Sequence, residues 1–473
     1  MTRTPRYAAA ITLSGAIALG APPPALAGAD EDPDAAPLQL TLTEAETRAL
    51  EQSEQVRIAR EDVFQAESQI TQARAGAFPE LTGSIRYDRT LRSVFDIDGD
   101  GDDPGIPGLD PDELIGDLPF GQENAWNLSL QLNQPIYTGG RLTTGLELAE
   151  HVRDATHHGL DETEFETLRD VRQAYLQSLY TAALVDIAEE ALEIADEQLE
   201  LVETLRARGA ATELDVLQAR VERDNLHPDL VQAENAEKLA ELELRRLLNV
   251  PLDRPIELAD RPGERDIEAD VARGRVIEAA LDRPAAQAAR ESVRIQERNI
   301  ELARAQRMPT VSAFANFSWQ TFPDNIFPTS LPYADEWRED WIVGVQVNIP
   351  IFEGFRVTAE IDEAQSEQRV AMLEERQLRE AITMEAEATL ADLEAAQARI
   401  EARRGTAEEA ERALELAELR FEQGMAQLIE LSNARLMLSR ALVNEAEAQI
   451  EYLSALAALE YVTGGELDLF AER

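Results

Sequence analysis

The chain has 473 residues with 44 basic and 92 acidic side chains, a formal net charge of −48. Lys238 is its only lysine and it has no cysteine, which excludes lysine-dependent phosphate loops, Schiff-base chemistry, thiol nucleophiles, disulfides and a lipid anchor on an N-terminal cysteine. So acidic a surface repels nucleic acid and anionic lipid, and its self-repulsion predicts a protein that folds best in high salt.

Residues 1–27 carry Arg3 and Arg6, an apolar stretch from Tyr7 to Ala21, and Ala25-Leu26-Ala27 before Gly28. This pattern predicts a secretory signal peptide, and residues 28–37 read as a short tail. No later segment reaches 18 consecutive apolar residues, so export without a helical membrane anchor is expected.

The remainder repeats itself. Pro135-Ile136-Tyr137-Thr138-Gly139-Gly140-Arg141 matches Pro350-Ile351-Phe352-Glu353-Gly354-Phe355-Arg356 at an offset of 215, and Arg208-Gly209 through Val216 matches Gln423-Gly424 through Leu431 in the same register. Upstream the offset is 230, so the first copy holds 15 extra residues between Pro79 and Pro135. Residues 38–250 and 269–464 are therefore expected to be two equivalent structural repeats. A connector at 251–268 joins them and a tail follows at 465–473.

Within each repeat the pattern predicts helix, strand, loop, strand, a very long helix, a tight turn and a return helix. Residues 81–92 alternate, with Leu81, Ile85 and Tyr87 on one side and Thr82, Ser84, Arg86 and Asp88 on the other. The same period of two runs through 126–136, 311–321 and 341–351. Each segment is long enough to cross a bilayer as a tilted strand, with Tyr87, Trp126, Trp319, Phe322 and Trp341 placed as an interfacial girdle. Lipid forbids an open sheet edge, so four strands require completion by other subunits.

The long helices are expected at 141–208 and 355–423, and the return helices at 212–248 and 428–462. A proline-free run of 68 residues makes a rod of about 100 Å. Val185, Ala188, Leu192, Ala195, Leu199 and Val202 form one apolar seam, and Leu184, Ile187, Ala191, Ile194, Gln198 and Leu201 form a second beside it. Doubled seams suit a ring in which every helix has two neighbours. The shorter helices, 43–76 with 212–248 and 269–306 with 428–462, match the long ones when stacked end to end.

The signal peptide, Ala77-Phe78-Pro79 at a strand start, the Pro-Ile-Tyr-Thr-Gly-Gly-Arg strand end and the Arg-Gly-x5-Asp-Val-Leu turn, in that order and duplicated, resemble the TolC-like outer membrane efflux proteins over residues 40–465. The fold class is thus expected to be mixed α/β and mostly α. The resemblance implies a homotrimer closing a twelve-stranded barrel in the outer membrane, continued by a periplasmic helical barrel. It further implies a passive exit duct of an efflux or type I secretion system, docking to a periplasmic adaptor and an inner-membrane pump, and no enzymatic activity. A non-conducting envelope-spanning scaffold is the alternative.

Gly209 and Gly424 suit the left-handed residue that ends a helix, and Thr212 with Asp215 forms a capping-box variant. The resemblance places Gly209, Thr212, Gly424 and Met425 at the periplasmic tip facing the adaptor. It places Asp215, Glu430 and Asn433 near the pore constriction, where a ring of carboxylates would favour cations. Relatives that lock the tip carry an arginine near the second turn, but here none follows Gly424, so no such lock is expected.

Asp96, Asp98 and Asp100 begin a calcium-loop pattern in the 96–103 segment that lacks its twelfth-position glutamate, since Pro107 stands there. No cofactor is expected beyond the weak calcium binding that this partial loop would allow. His151, His157 and His158 lie near Asp154 without a clear further ligand, so they read as a solvated helix face.

Overall fold

The computed structural model describes residues 38–92, 122–260, 272–328 and 337–467. The signal peptide and the 96–103 segment lie outside them. No helix among the described residues is long and apolar enough to cross a membrane.

The chain opens with β1 (Leu38–Leu40), α1 (Leu42–Gln52), α2 (Glu54–Ala75), β2 (Glu80–Arg89), β3 (Asn124–Tyr137), α3 (Arg141–Ala207) and α4 (Glu213–Leu247). It continues with β4 (Ile256–Leu258), α5 (Arg273–Ala280), α6 (Pro284–Ala305), β5 (Thr310–Thr321), β6 (Arg338–Asn348), α7 (Arg356–Arg403), α8 (Thr406–Glu422) and α9 (Leu428–Val462).

Three expectations need correction. The helix expected at 43–76 breaks at Ser53, whose ψ of 131° is extended, and that expected at 269–306 breaks at Arg283 (ψ 159°), where Pro284 restarts the helix without needing an N–H partner. Ser53 and Arg283 correspond at the 230 offset. The helix expected at 355–423 is two: Arg404 turns extended and Gly405 adopts φ 78° before α8 begins. The connector is not featureless either, because β4 pairs in parallel with β1. Asp260 then accepts from the Leu42 N–H at 2.9 Å and lies 2.8 Å from the Tyr175 hydroxyl, anchoring the connector to α1 and α3.

The helices form a wall four across in two tiers. Nearest the sheet, α2, α3, α6 and α7 lie side by side; farther away the order is α4, α3, α9, then α7 with α8. The two long helices run through both tiers while short ones stack above return helices, as the lengths require. Along α3 the two seams are buried or half-buried, and Asp186, Glu189, Glu193, Asp196 and Glu200 on the opposite face are exposed. One seam meets α4 through Leu199, Val202, Val216 and Ala219.

The main core sits where the tiers meet, with Tyr175 of α3, Leu244 of α4, Ile382 of α7 and Leu456 of α9 almost wholly buried. Arg172 crosses this core to Glu46 at 2.5 Å and Glu460 at 2.9 Å. Burial opposes its charge, yet the bonds to the two carboxylates outweigh it and raise the guanidinium above its ordinary value.

Candidate functional site

Two ends of this wall carry the chemistry. At one end the four strands form an antiparallel sheet in the order β2-β3-β5-β6. Its register places Leu81, Ile85, Tyr87, Trp126, Leu128, Leu130, Leu132, Phe317, Trp319, Trp341, Val343, Val345 and Val347 on one face. Thr82, Ser84, Asn127, Ser129, Gln131, Asn133, Ser312, Asn316, Gln346 and Asn348 occupy the other, where several of them line a concavity of about 500 Å³. Val343 is 76% exposed and Ile85 71%. Leaving so much aliphatic surface uncovered is costly in water and costs nothing in lipid.

The aromatics cluster at the rim away from the helices. Trp126 lies 5.1 Å from Tyr87 and donates its indole N–H to the Ile326 carbonyl at 2.7 Å, while Phe317 meets Trp341 edge-on at 4.6 Å. Such rings, apolar in body and polar at one edge, suit a membrane interface. Among the described residues β2 and β6 have no outer partner, so the sheet has two open edges of unsatisfied N–H and C=O groups.

The opposite end is built from two equivalent turns. Gly209 (φ 79°) follows α3, its N–H donating to Arg206 while that of Ala210 donates to Leu205; Gly424 (φ 71°) follows α8 with the same pair of bonds to Phe421 and Arg420. These are Schellman motifs. No side chain crowds either glycine, so what the positions demand is the left-handed backbone itself. Phe421, Leu428 and Ala211 pack the two turns against each other.

The turns are capped differently. Thr212 donates its N–H to the Asp215 carboxylate at 2.7 Å and receives the Asp215 N–H on its hydroxyl at 3.2 Å, a full capping box. Those bonds from the Thr212 side chain and backbone hold the Asp215 carboxyl below the usual carboxylate range. In the second turn Gln427 supplies no side-chain cap, and Glu430 pairs with Arg420 across the turn. Met425 is 60% exposed, and Asn433, one turn past Glu430, is exposed and lines a cavity of about 310 Å³ with Ile187, Ile194, Glu222 and Arg435.

Arg420 and Arg435 are the residues that sequence reasoning missed. Arg420 precedes Gly424 by one helical turn, and a search confined to the residues after the glycine passes over it. Arg435 bonds Gln198 of α3, a residue placed in an apolar seam by spacing alone. Burial lowers the Arg435 guanidinium against the opposing pull of Glu222, Glu418 and Glu197.

Near the sheet, His151 Nδ1 lies 2.8 Å from Glu291 of α6, and with Asp154 the three ligand atoms fall within 4.8 Å of one another. A divalent cation would find three donors there. Arg294 holds one oxygen of Glu291 at 2.5 Å and Arg153 one of Asp154 at 2.6 Å, so the group also stands as an ion-pair network without a metal. Glu291 belongs to the other repeat, out of reach of any local spacing rule. His158 lies 3.9 Å from Asp161.

A sheet with one apolar and one polar face, set on a wall of helices that reach 67 residues in α3, defines a class of membrane-inserted β proteins with a long helical extension. The profile of the outer membrane efflux protein family matches residues 47–250 and 276–465, and the chain belongs to that family; it is an outer membrane protein. Its sequence is 25% identical over 327 residues to the solvent efflux pump outer membrane protein SrpC of Pseudomonas putida, covering 68% of this chain but 64% of that relative's length. It is 22% identical to the outer membrane efflux protein BepC of Brucella suis over 97% of this chain and 89% of BepC. The pyoverdine export outer membrane protein OpmQ of Pseudomonas aeruginosa is 23% identical over 88% of this chain and 84% of its own length. Among solved structures, the Campylobacter jejuni CmeC outer membrane channel superposes with a TM-score of 0.73 at 17% identity, covering 90% of this chain and 85% of that one. VceC of Vibrio cholerae gives 0.70 at 20%, covering 90% and 96%. At these identities the structures establish the shared fold.

Proposed function

We propose that three copies of the chain close a twelve-stranded barrel and a helical barrel beneath it, forming a passive exit duct across the outer membrane and periplasm. The observation that carries this is the amphipathic sheet with both edges open, a surface that only lipid and further strands can satisfy. The duct acts without catalysis and with energy from an inner-membrane pump, reached through a periplasmic adaptor at the Gly209, Thr212, Gly424 and Met425 turns. Solvent efflux by SrpC and pyoverdine export by OpmQ favour small-molecule efflux over protein secretion as its task.

At the tip, Asp215 is the principal selectivity group. Its carboxylate stays charged under the Thr212 bonds, whereas Arg420 cancels much of the field of Glu430 and Asn433 adds a neutral donor and acceptor. The experiment is imaging and planar-bilayer recording of the protein purified in detergent at high salt. Threefold particles of about 100 Å or more in length that conduct support the duct. Threefold particles without conductance support the scaffold instead, and monomers remove both. In a conducting protein, Asp215→Asn reduces cation preference more than Glu430→Gln; equal or absent effects would remove the assignment at the tip.

A further inference from the structure

The duplication supplies a template for a contact that one chain leaves half built. Arg172 of α3 is held between Glu46 of α1 and Glu460 of α9, with side-chain exposures of 7%, 18% and 8%. Carried through the internal offset of 215, Arg172 becomes Glu387 of α7 and Glu460 becomes Arg245 of α4. The place of Glu46, carried through 230, is Val276 of α5, one helical turn from Arg273. Both carried charges are reversed, and the third position has an arginine beside it.

The correspondence does not depend on sequence matching alone. Left-handed residues mark the same points in both repeats: Gly140 and Phe355 before the long helices, Gly209 and Gly424 at the turns, Asn249 and Gly464 after the return helices. Leu244 and Leu459, the neighbours of Arg245 and Glu460, are both fully buried.

Half of the inverted triad exists within the chain, since Arg273 Nη2 lies 2.5 Å from Glu387. The other half is missing. Arg245 has a side chain only 10% exposed; it gives Nη2 to Glu241 at 2.7 Å and Nη1 to the Leu252 carbonyl at 3.2 Å, and its Nε has no acceptor among the described residues. A buried donor left unmatched is costly and calls for explanation.

The order of helices says where the acceptor comes from. Within the chain α3 lies against α9, the return helix of the other repeat. By the same plan α7 calls for a return helix of the first repeat on its other side, and the chain's own α4 is on the far side of α3. We propose that Glu387 pairs with Arg245 of the partner subunit, so that each subunit junction holds a charge-inverted copy of the Arg172 triad, completed by Arg273.

This inference rests on the proposed closed trimer, and its test separates the two. The chain lacks cysteine, so the double variant Arg245→Cys/Glu387→Cys, purified in detergent, is treated with a short bismaleimide and run on a denaturing gel. Covalent dimers and trimers are expected, while the control Arg172→Cys/Glu460→Cys links only within the chain and stays monomeric in mass. Independently, Glu387→Arg raises the trimer dissociation constant about ten-fold or more, and Arg245→Glu/Glu387→Arg recovers it, as read by mass photometry. Wild-type trimers whose cysteine variant stays trimeric by mass photometry yet forms no cross-links, or whose swap gives no recovery, overturn the pairing and leave the duct standing. A wild type that is monomeric throughout overturns both.

Discussion

The two repeats share one plan and part company in how their long helices are continued. α3 runs 67 residues without interruption, whereas α7 stops after 48 and α8 resumes after a left-handed Gly405. The corresponding residues of the first repeat, Glu189 and Glu190, are ordinary helix. Below the break, α8 packs on α9 through its own cluster of Ala407, Ala410, Leu414, Ala417, Leu431, Ala434, Leu438 and Ala441, separate from the main core. The first repeat thus supplies a continuous strut, and the second a tip segment stabilised apart from the rest. Segments with small, separate cores open at lower free energy than those tied to the main one.

The largest expected effect concerns what joins the repeats. Replacing Arg172 by Met leaves Glu46 and Glu460 buried together without a counter-charge, a loss of about 3–5 kcal/mol. Arg273→Met, at the exposed pair with Glu387 in the second repeat, costs far less. Denaturant unfolding of the two variants reads the difference, and equal losses would mean that the buried triad does not distinguish the halves.

Next in size is a prediction that the halves behave alike where they meet lipid. Leu130 and Val345 correspond at the 215 offset and lie on the apolar face of the sheet. Arginine at either position destabilises the membrane-inserted protein by about 2–4 kcal/mol near the midplane, while Gln131→Arg and Gln346→Arg, on the polar face, cost far less. Refolding into vesicles measures all four. A cost at Leu130 without one at Val345 would show that the second repeat's strands do not face lipid.

A smaller effect is expected at the left-handed residues. Gly140 (φ 90°) and Phe355 (φ 65°) correspond, and only the first has the residue type that tolerates this backbone freely. Gly140→Ala costs about 1–2 kcal/mol. Gly405→Ala costs a similar amount, but the loss falls on α8 and appears as faster amide exchange there. Slower exchange across 403–406 would instead mean that the helix prefers continuity and that glycine alone maintains the break.

The fold was legible because its periodicities are long and repeated. Strand alternation in Leu81–Asp88, the doubled seam of α3 and the glycines at 209 and 424 each state a backbone requirement through residue type. The interruptions were harder to read. Nothing around Ser53 disfavours a helix, and Gly405 is one glycine in an otherwise helical run, tolerated at about 1 kcal/mol when it stays helical. The site was legible only for local features. Thr212 and Asp215 meet over three residues, but Gln198 with Arg435, His151 with Glu291, and Arg172 with Glu460 join residues more than a hundred apart, and only the packed wall brings them together.

The smallest effect separates the two tips. Thr212→Ala removes the capping box from α4 and costs about 1 kcal/mol, whereas Gln427→Ala on the second tip removes no cap and changes little. The first tip also carries a pH dependence. Hydrogen bonds from Thr212 place the folded Asp215 carboxyl below its ordinary value of 3.8. A depressed carboxyl contributes stability that is complete above the unfolded value and is lost as pH falls through the folded one. Acidification below about pH 4 should therefore loosen the start of α4 in the wild type. The same acidification should add less in Thr212→Ala, where the hydroxyl's bonds are gone and only the backbone N–H of residue 212 still holds the carboxylate. Amide exchange of residues 213–219 along a pH series reads this directly. If wild type and variant loosened in parallel, the cap would not be what holds the carboxyl down, and the asymmetry between the tips would rest on Arg420 and Glu430 alone.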